Sequence, residues 1–474
     1  MPRAERHRWA FKARFRRHAF GWRSQPAIQR VKEAVAEIKS VARTDAVLAA
    51  EGAVVLIERL SPALENIDSS SGAIGAAVNN ALATLVPLVT GAPADAETRT
   101  AWLARLFEAH GADQIPYIED LAEYWGELCA SKEVASEWAD RLLGITQRAL
   151  SPDSGRRGHF HGTTACLSAL YAAERYDDLL GLLEAEAFWP YKRWAVRALA
   201  AQGRRAEAIQ LAEDSRSPWA SDWDIDRLCE EILLSAGATD DAYASYGLTA
   251  NRGGTHLATF RAVAKKYPHK SVGEILSDLV TTTPGDEGKW FAAAKDAGLF
   301  REALALAERT PCDPRTLSRA ARDYADDQPA FALGAGLLAL YWLAQGYGYE
   351  ITGADVWAAY SATIQVAERL GKAEQARADI RRIAASTQDA TNAVARILGR
   401  DLGLSSAPAH RGRSHGGLTP SACRSPRARC PRTTRAGPSR SRRLRRSLIC
   451  LQGAFVVDRQ TRRFRQSDVD IYLS

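Results

Sequence analysis

The sequence repeats itself in short segments, which indicates a stack of similar structural units. Residues 203–213, GRRAEAIQLAE, align without a gap with residues 298–308, GLFREALALAE. Weaker copies of the pattern begin at Glu174, Gly237 and Gly371. The first positions of successive copies are 29, 34, 61 and 73 residues apart. Units of about 30 to 36 residues explain these separations if the two longer ones each span two units, and such a period is typical of repeat proteins.

Each copy predicts two helices joined by a turn. In the first strong copy, Glu207, Ala208 and Ile209 follow Gly203 by four, five and six residues. Small or apolar residues also stand eight and four positions before the first residue of every copy. These upstream pairs are Cys166 and Leu170, Ala195 and Leu199, Cys229 and Leu233, Trp290 and Ala294, and Thr363 and Ala367. Residues four apart share one helix face, and a left-handed glycine commonly ends a helix, so we expect a helical hairpin at each copy.

The repeated pattern resembles the tetratricopeptide repeat over about half of the chain. In that family an Ala stands five residues after a turn Gly, as Ala208 and Ala303 do, and a Pro closes the unit about seventeen residues after the Gly. Here Pro190, Pro218 and Pro314 follow their turn residues by 15 or 16 positions. The spacing places two further units near residues 269 and 335, where the pattern is hard to recognise. The resemblance implies a stacked solenoid whose concave face binds an extended peptide or a partner helix.

The predicted fold class is all-α, an α–α superhelix built from helical hairpins with a disordered Arg-rich C-terminal tail. Strand-like alternation is almost absent before residue 450. Four parts are predicted: a basic, aromatic N-terminal arm or helix at 1–26, a helical segment at 27–150, the repeats at 151–402 and the tail at 403–474. Within the second part, helices are expected from Pro26 to Val41 and from Ala46 to Leu60, before Pro62.

The N-terminal arm interleaves aromatic and basic side chains. Its aromatic residues are Trp9, Phe11, Phe15, Phe20 and Trp22. On a helix, Phe11, Phe15 and Trp22 would share one face, which predicts a terminal helix that docks this stripe on the array. Cations beside stacking rings also suit nucleic acid or anionic lipid, with Arg14, Arg16 and Arg17 as candidate phosphate-binding residues. Both interpretations stay open from the sequence.

The positive charge of the chain lies at its two ends. Residues 1–43 carry 12 Lys/Arg and 3 Asp/Glu, and residues 403–474 carry 16 and 3, whereas the chain between them carries 35 and 50. The body is therefore acidic despite the net charge of +7. A binding surface on this body is expected to favour basic or neutral peptides.

The tail is rich in arginine and contains no lysine. Twelve Arg and no acidic residue lie between Arg411 and Arg446, among Ser, Pro, Gly and Ala. Such a composition predicts disorder, and phosphate binding through residues such as Arg442, Arg443, Arg445 and Arg446. Arginine without lysine is also what a GC-rich coding sequence gives when it is read out of frame, so the tail has two interpretations.

The remaining composition predicts a cytoplasmic protein without a transmembrane segment. The N-terminus lacks the apolar core of a signal peptide, and the longest apolar stretch, Gly72 to Val89, is interrupted by Asn79 and Asn80. The seven cysteines are scattered and form no Cys-x-x-Cys pair. This usage is typical of a reducing compartment.

Few residues suggest chemistry. His159 and His161, with Cys166 nearby, are weak candidates for a zinc site, but Cys166 stands at an upstream repeat position and is expected to be packed in a helix. The histidines at 110, 256 and 269 are expected to be solvated. Glu119, Glu123 and Glu127 recur every four residues, which predicts a solvated helix face. No catalytic residue and no cofactor is predicted.

Partner binding is the predicted function, with four tryptophans as weak candidate contacts: Trp189, Trp194, Trp219 and Trp223. Packing between repeats is the alternative role for these side chains. We expect a non-enzymatic scaffold that binds a protein or peptide in the groove of a helical array. A nucleic-acid-associated protein that uses its basic ends is the first alternative, and an enzyme with a site inside a helical toroid is the second.

Overall fold

The computed structural model describes residues 7–151, 153, 158–386 and 392–403, and these residues contain α-helices but no β-strand. The N-terminal helices are α1 (Ser24–Ala42), α2 (Ala46–Leu64), α3 (Ala73–Thr90), α4 (Ala96–Gly111), α5 (Trp125–Cys129) and α6 (Lys132–Ala149). The following helices are α7 (Thr163–Ala172), α8 (Tyr176–Leu183), α9 (Trp189–Ala201), α10 (Arg205–Asp214), α11 (Asp222–Ser235), α12 (Thr239–Ala242), α13 (Leu248–Ala250), α14 (His256–Lys266) and α15 (Val272–Thr281). The last are α16 (Phe291–Asp296), α17 (Phe300–Arg309), α18 (Pro314–Asp323), α19 (Pro329–Ala344), α20 (Gly353–Arg369), α21 (Ala373–Ala385) and α22 (Ala393–Leu398). Short 3₁₀ helices occupy Phe11–Ala13, Glu119–Tyr124 and Glu287–Trp290, and Tyr243–Gly247 is π-helical. The all-α prediction is confirmed.

The helices pack on their neighbours in sequence. Among the described residues, extensive contacts join α-helices that are at most three positions apart in chain order, such as α7 with α9 and α18 with α20. Contacts of this kind build an array in which each hairpin is stabilised by the hairpins before and after it.

All five predicted turn residues adopt the left-handed conformation. Their φ angles are 58° at Glu174, 79° at Gly203, 75° at Gly237, 74° at Gly298 and 67° at Gly371. The backbone bonds are those of a Schellman turn, as at residues 203 and 204, whose N–H groups donate to Ala200 (3.0 Å) and Leu199 (2.9 Å). Each turn reverses the chain between a first helix and a second helix, so the predicted hairpins are confirmed at these positions.

The repeat pattern also identifies core residues correctly. The residues five positions after the turn residue, which are Leu179, Ala208, Ala242, Ala303 and Ala376, are all buried. The upstream pairs are buried as well, except for the half-buried Leu233. Cys166 and Cys229 are fully buried in α7 and α11, as their place in the repeat predicts. Burial raises the pKa of each thiol to about 11, which keeps both unreactive.

Two further units have turns that the repeat pattern does not describe. Near residue 269, α14 and α15 form a hairpin without a glycine, and Ser271 and Glu274 form a capping box at the start of α15. The unit expected near residue 335 is placed differently, because residue 335 lies inside α19. The turn between α18 and α19 occupies residues 324–328, about ten positions earlier than the spacing predicts.

The N-terminal arm docks on the array, but not as a helix. Trp9, Phe11 and Phe15 are buried against α1 and α2, which confirms that the aromatic side chains pack on the body. The predicted helix is wrong, because residues 7–23 contain only one 3₁₀ turn. The Glu37 carboxylate accepts the N–H groups of residues 10 and 11 (2.7 and 3.1 Å), which a helix would use internally. Trp22 does not share the buried face and is 71% exposed.

The apolar helix α3 belongs to the core of the N-terminal segment. It alone among the described helices is long and apolar enough to span a membrane. One of its faces is buried against α1 and α2, while Asn79 and Asn80 point to solvent. The second predicted helix extends beyond its expected end, because α2 continues through Pro62 to Leu64. Pro62 lies in the last turn, and its carbonyl accepts the N–H of His18 at 2.9 Å.

A polar network links two of the apolar clusters of the array. One cluster ends at Ile232 of α11, and the next begins at Ala242 and includes Tyr267. The buried Glu230 carboxylate of α11 accepts hydrogen bonds from Asn251 Nδ2, Tyr267 Oη and Lys266 Nζ, each at 2.5 Å. Because Asn251 follows α13 and the other two donors lie at the end of α14, this carboxylate fixes α11 to the helices that follow it.

A candidate peptide-binding groove

An open groove of about 600 Å³ follows the first helices of successive hairpins. It is lined by the 3₁₀ turn at 119–124 with α5, and by α7, α9 and α11. The lining residues are Glu123, Gly126, Glu127, Ser168, Tyr171, Ala172, Trp194, Arg197, Ala200, Ala201, Leu228, Glu231, Ile232 and Ser235. No second helix of a hairpin contributes to this lining, so the groove belongs to one side of the array.

The lining positions recur in the repeat. Six residues before the turn residue stand Ser168 in α7, Arg197 in α9 and Glu231 in α11. Two residues before it stand Ala172, Ala201 and Ser235. Because four residues make about one helical turn, these two positions lie on the same side of each first helix. The groove therefore presents Arg197 from α9 and Glu231 from α11 above a row of small residues, whereas Ser168 of α7 is buried.

Aromatic rings form the middle of the groove. The rings of Tyr171 and Trp194 meet edge to face with centroids 5.7 Å apart, and the Arg197 guanidinium lies 5.0 Å from the centroid of Trp194. Trp194 is 3% exposed, and its indole N–H has no hydrogen-bond acceptor among the described residues. Because this ring is buried, it gives the guanidinium a rigid platform.

The N-terminal end of the groove is closed by tight backbone packing. A Cβ atom on Gly126 would lie 2.3 Å from the carbonyl oxygen of Ser168, so only glycine fits there. The Ser168 hydroxyl accepts the N–H of Gly126 (2.9 Å) and donates to the Glu123 carbonyl (2.8 Å). These contacts hold α5 directly against α7.

Charged groups of both signs line the groove. Burial raises the pKa of Glu123, and Arg193 and Arg197 partly offset this effect. Glu123 forms an ion pair with Arg193. Burial lowers the pKa of Arg197, and the nearby Arg193 lowers it further. The prediction of a solvated glutamate face is therefore wrong at Glu123, because this residue is half-buried and paired. Glu127 is exposed at the groove.

The four candidate tryptophans lie in different surroundings. Trp194 lines the groove, whereas Trp189 is buried in an apolar cluster with Val196 and Ile225. Trp219 is 92% exposed in the loop before α11, and Trp223 at the start of α11 is 41% exposed under the Arg227 guanidinium. Neither of the last two lines the groove.

The candidate histidines do not form a zinc site with Cys166. Among the described residues there is no group of three or more His, Cys, Asp or Glu side chains placed to hold a metal ion. His161 instead packs on Phe107 and lies 5.9 Å, ring to ring, from His110. His110 was expected to be solvated, but it is buried and its Nδ1 has no partner in the described part of the chain.

Two of the three candidate phosphate-binding residues of the arm face carboxylates. Arg14 pairs with Glu33 at 2.9 Å and Arg17 with Glu65 at 3.5 Å, while Arg16 is exposed. The tail candidates at positions 442, 443, 445 and 446, and the predicted tail disorder, lie outside the described residues. The arm therefore offers less free positive charge than its composition predicts.

Sequence reasoning missed Tyr171, Arg197 and Glu231 as groove residues. The signal was present, because all three lie three or six positions before a turn residue of the repeat. The glycine and alanine positions of the repeat mark its core, whereas the chemistry of its surface lies at positions that vary from copy to copy.

Comparison of the chain with protein-family models, with curated proteins and with solved structures finds no match.

Proposed function

We propose that this protein is a non-enzymatic interaction scaffold that binds an extended segment of a partner protein in the groove. The observation that carries this proposal is the recurrence of groove-lining positions on consecutive first helices, so that residues of α7, α9 and α11 line one groove, with Arg197 and Glu231 as its charged side chains on α9 and α11. A solenoid of hairpins leaves such a surface uncovered, since each hairpin packs only on its neighbours.

The dimensions of the groove suit an extended peptide. Packed helices are about 9 Å apart, and α5, α7 and α9 pack on one another in order, so these three helices span about 18 Å before the groove reaches α11. An extended chain covers about 3.3 Å per residue, and a segment of at least about six residues would therefore cross the groove. The mixture of aromatic, small and charged side chains would provide one distinct subsite for each hairpin.

The alternative as a nucleic-acid-associated protein has less support. Arg14 and Arg17 lie beside Glu33 and Glu65, and Trp9, Phe11 and Phe15 are buried rather than available for stacking on bases. Retention of a DNA duplex by the full-length chain, compared with the variant that carries Arg14→Gln, Arg16→Gln and Arg17→Gln, tests this alternative. A large loss of retention in that variant would favour it over the groove.

The groove proposal is tested by peptide selection. The immobilised full-length chain would be used to enrich binders from a library of random displayed dodecapeptides. Ala201 is exposed at the groove, so Ala201→Tyr would fill the groove without disturbing the core. We expect the enriched peptides to bind this variant at least about tenfold more weakly, because one subsite is blocked.

A matched control separates groove filling from the effect of an added ring. Ala206 is exposed on α10, the second helix of the same hairpin, and does not line the groove. Ala206→Tyr is expected to leave peptide binding unchanged. Equal binding of the enriched peptides to wild type and to Ala201→Tyr would refute the proposal.

A further inference from the structure

Resting on the proposed groove function, we propose that Arg197 is the recognition point for a carboxylate side chain, so that the bound segment carries an Asp or Glu at the position that faces α9. This inference specifies the chemistry of the partner. It differs from what the bulk charge of the body predicts, since an acidic body by itself favours basic or neutral peptides.

Arg197 lacks the partners that half-buried arginines ordinarily have. Within the described residues, its guanidinium makes no hydrogen bond and lies within ion-pair distance (4.0 Å) of no carboxylate. Arg193, one helical turn earlier, has such partners: the Glu123 carboxylate and the Pro190 carbonyl at 3.1 Å. Removing a guanidinium from water without supplying acceptors is unfavourable, so the site is electrostatically incomplete.

The nearby carboxylates do not complete the site. Glu123 and Glu231 are close enough to raise the pKa of Arg197, but burial and Arg193 outweigh them and the pKa is lowered overall. Glu123 is engaged with Arg193. Glu231 is exposed on α11 and has no ion-pair partner in the described part of the chain. Glu231 is thus a neighbouring carboxylate that is not bound to Arg197 but would repel a carboxylate of the partner there.

The position of Arg197 suits a carboxylate sterically as well. Its guanidinium lies over the ring of Trp194, and a cation–π contact of this kind leaves N–H groups of the guanidinium available for bidentate bonding to a carboxylate. The flanking wall is formed by Tyr171 and by Leu228 of the next hairpin. An acidic residue next to an apolar residue would therefore match this part of the groove.

The experiment is a double-mutant cycle on the full-length chain with peptides selected from the dodecapeptide library. The protein change is Arg197→Met, which keeps the aliphatic stem over Trp194 and removes the charge. The peptide change is Asp→Asn or Glu→Gln at the acidic position that the selected peptides share. Each change alone is expected to weaken binding roughly 10- to 100-fold, and the two together should cost little more than either one.

Two further variants sharpen the result. Glu231→Gln removes the neighbouring carboxylate and is expected to tighten binding of the acidic peptides severalfold. Arg205 is exposed on α10 outside the groove, so Arg205→Met is the matched control and should leave binding unchanged. Thermal unfolding of Arg197→Met at or above the wild-type midpoint would show that the variant is folded.

The outcomes separate this inference from the proposed function. Selected peptides that are sensitive to Ala201→Tyr but share no acidic position, or that bind Arg197→Met as tightly as wild type, would overturn the role of Arg197 and leave the groove intact. Peptides that are insensitive to Ala201→Tyr would overturn both. A shared acidic residue whose effect vanishes in Arg197→Met supports the inference.

Discussion

The indole ring of Trp9 lies directly against Gly52 of α2, so that a Cβ atom on residue 52 would be 2.2 Å from ring carbon Cζ2. This contact seats the N-terminal arm in a notch of the second helix. Gly52→Ala would push the ring out of its site, and we expect a loss of about 1–3 kcal/mol in the free energy of unfolding, as in overpacked cores.

Gly144→Ala is the control for this change. Gly144 is an exposed residue in the middle of α6, and a Cβ atom there would meet nothing within 4 Å. The Gly144→Ala variant should gain about 0.5–1 kcal/mol in the free energy of unfolding, because alanine favours the helix. Urea denaturation measures both variants, and an equally stable Gly52→Ala protein would show that Trp9 is not held in the notch.

Replacing a glycine at a left-handed turn should destabilise the protein through backbone strain rather than through a steric clash. Gly298 has a φ of 74° and open space where a Cβ atom would lie, so Gly298→Ala strains only the backbone. We expect a cost of about 1–2 kcal/mol in unfolding free energy. Gly181→Ala within α8, where the space is also open and φ is ordinary, should be neutral or slightly stabilising. If both variants unfolded at the same urea concentration, the assigned turn conformation would be wrong.

Acid should destabilise the protein through His110 and His161. Burial lowers the pKa of both imidazoles, and His110 and His159 lower that of His161 further. The native protein then binds fewer protons than the unfolded chain. The contribution of these two imidazoles to the free energy of unfolding is complete above the unfolded pKa of about 6.5. It is lost as pH falls through the lower native pKa values.

Urea unfolding at pH 7.5 and pH 5.5 measures this loss, with the double variant His110→Gln and His161→Gln as the comparison. The variant should lose less stability on acidification than the wild type. Parallel losses in the two proteins would mean that other groups, such as the carboxylates whose pKa burial raises, dominate the pH dependence.

Two tryptophans that the sequence treats alike should behave differently. Trp189 is 5% exposed and Trp219 is 92% exposed. Trp189→Ala removes a core ring and is expected to cost about 3–5 kcal/mol, whereas Trp219→Ala should change the unfolding free energy by less than about 0.5 kcal/mol. Thermal and urea unfolding check both values, and a comparable loss for Trp219→Ala would place that ring in a contact absent from the structure.

The four cysteines in the described residues should resist thiol reagents until the chain unfolds. Cys129, Cys166, Cys229 and Cys312 are buried, and burial raises their pKa values to about 11 or 12. In a chain with Ser at positions 423, 430 and 450, a chromogenic disulfide reagent is expected to label none of them in buffer and all four in urea. Rapid labelling in buffer would indicate local opening of the array.

The sequence predicted the structure correctly at positions where the backbone or the packing accepts few residue types. Glycine at φ angles near 75° and alanine at a close helix contact recur because few other residues fit, so the turns and core positions could be predicted. Prediction from the sequence failed for the arm, where Glu37 and α2 determine the conformation through contacts distant in sequence. It also failed at the groove. Arg197 is a candidate because it is half-buried without a hydrogen-bond acceptor among the described residues, and the positions of nearby acceptors are known only from the folded structure.

The docked arm has a consequence for the order of events during synthesis. Its described contacts reach Glu37, Gly52, Arg59, Pro62 and Asp68, all within the first 68 residues of the chain. Later hairpins likewise pack on helices close to them in sequence. The N-terminal end can therefore adopt its native packing while the ribosome is still translating the repeats, and each emerging hairpin adds to a surface that is already folded.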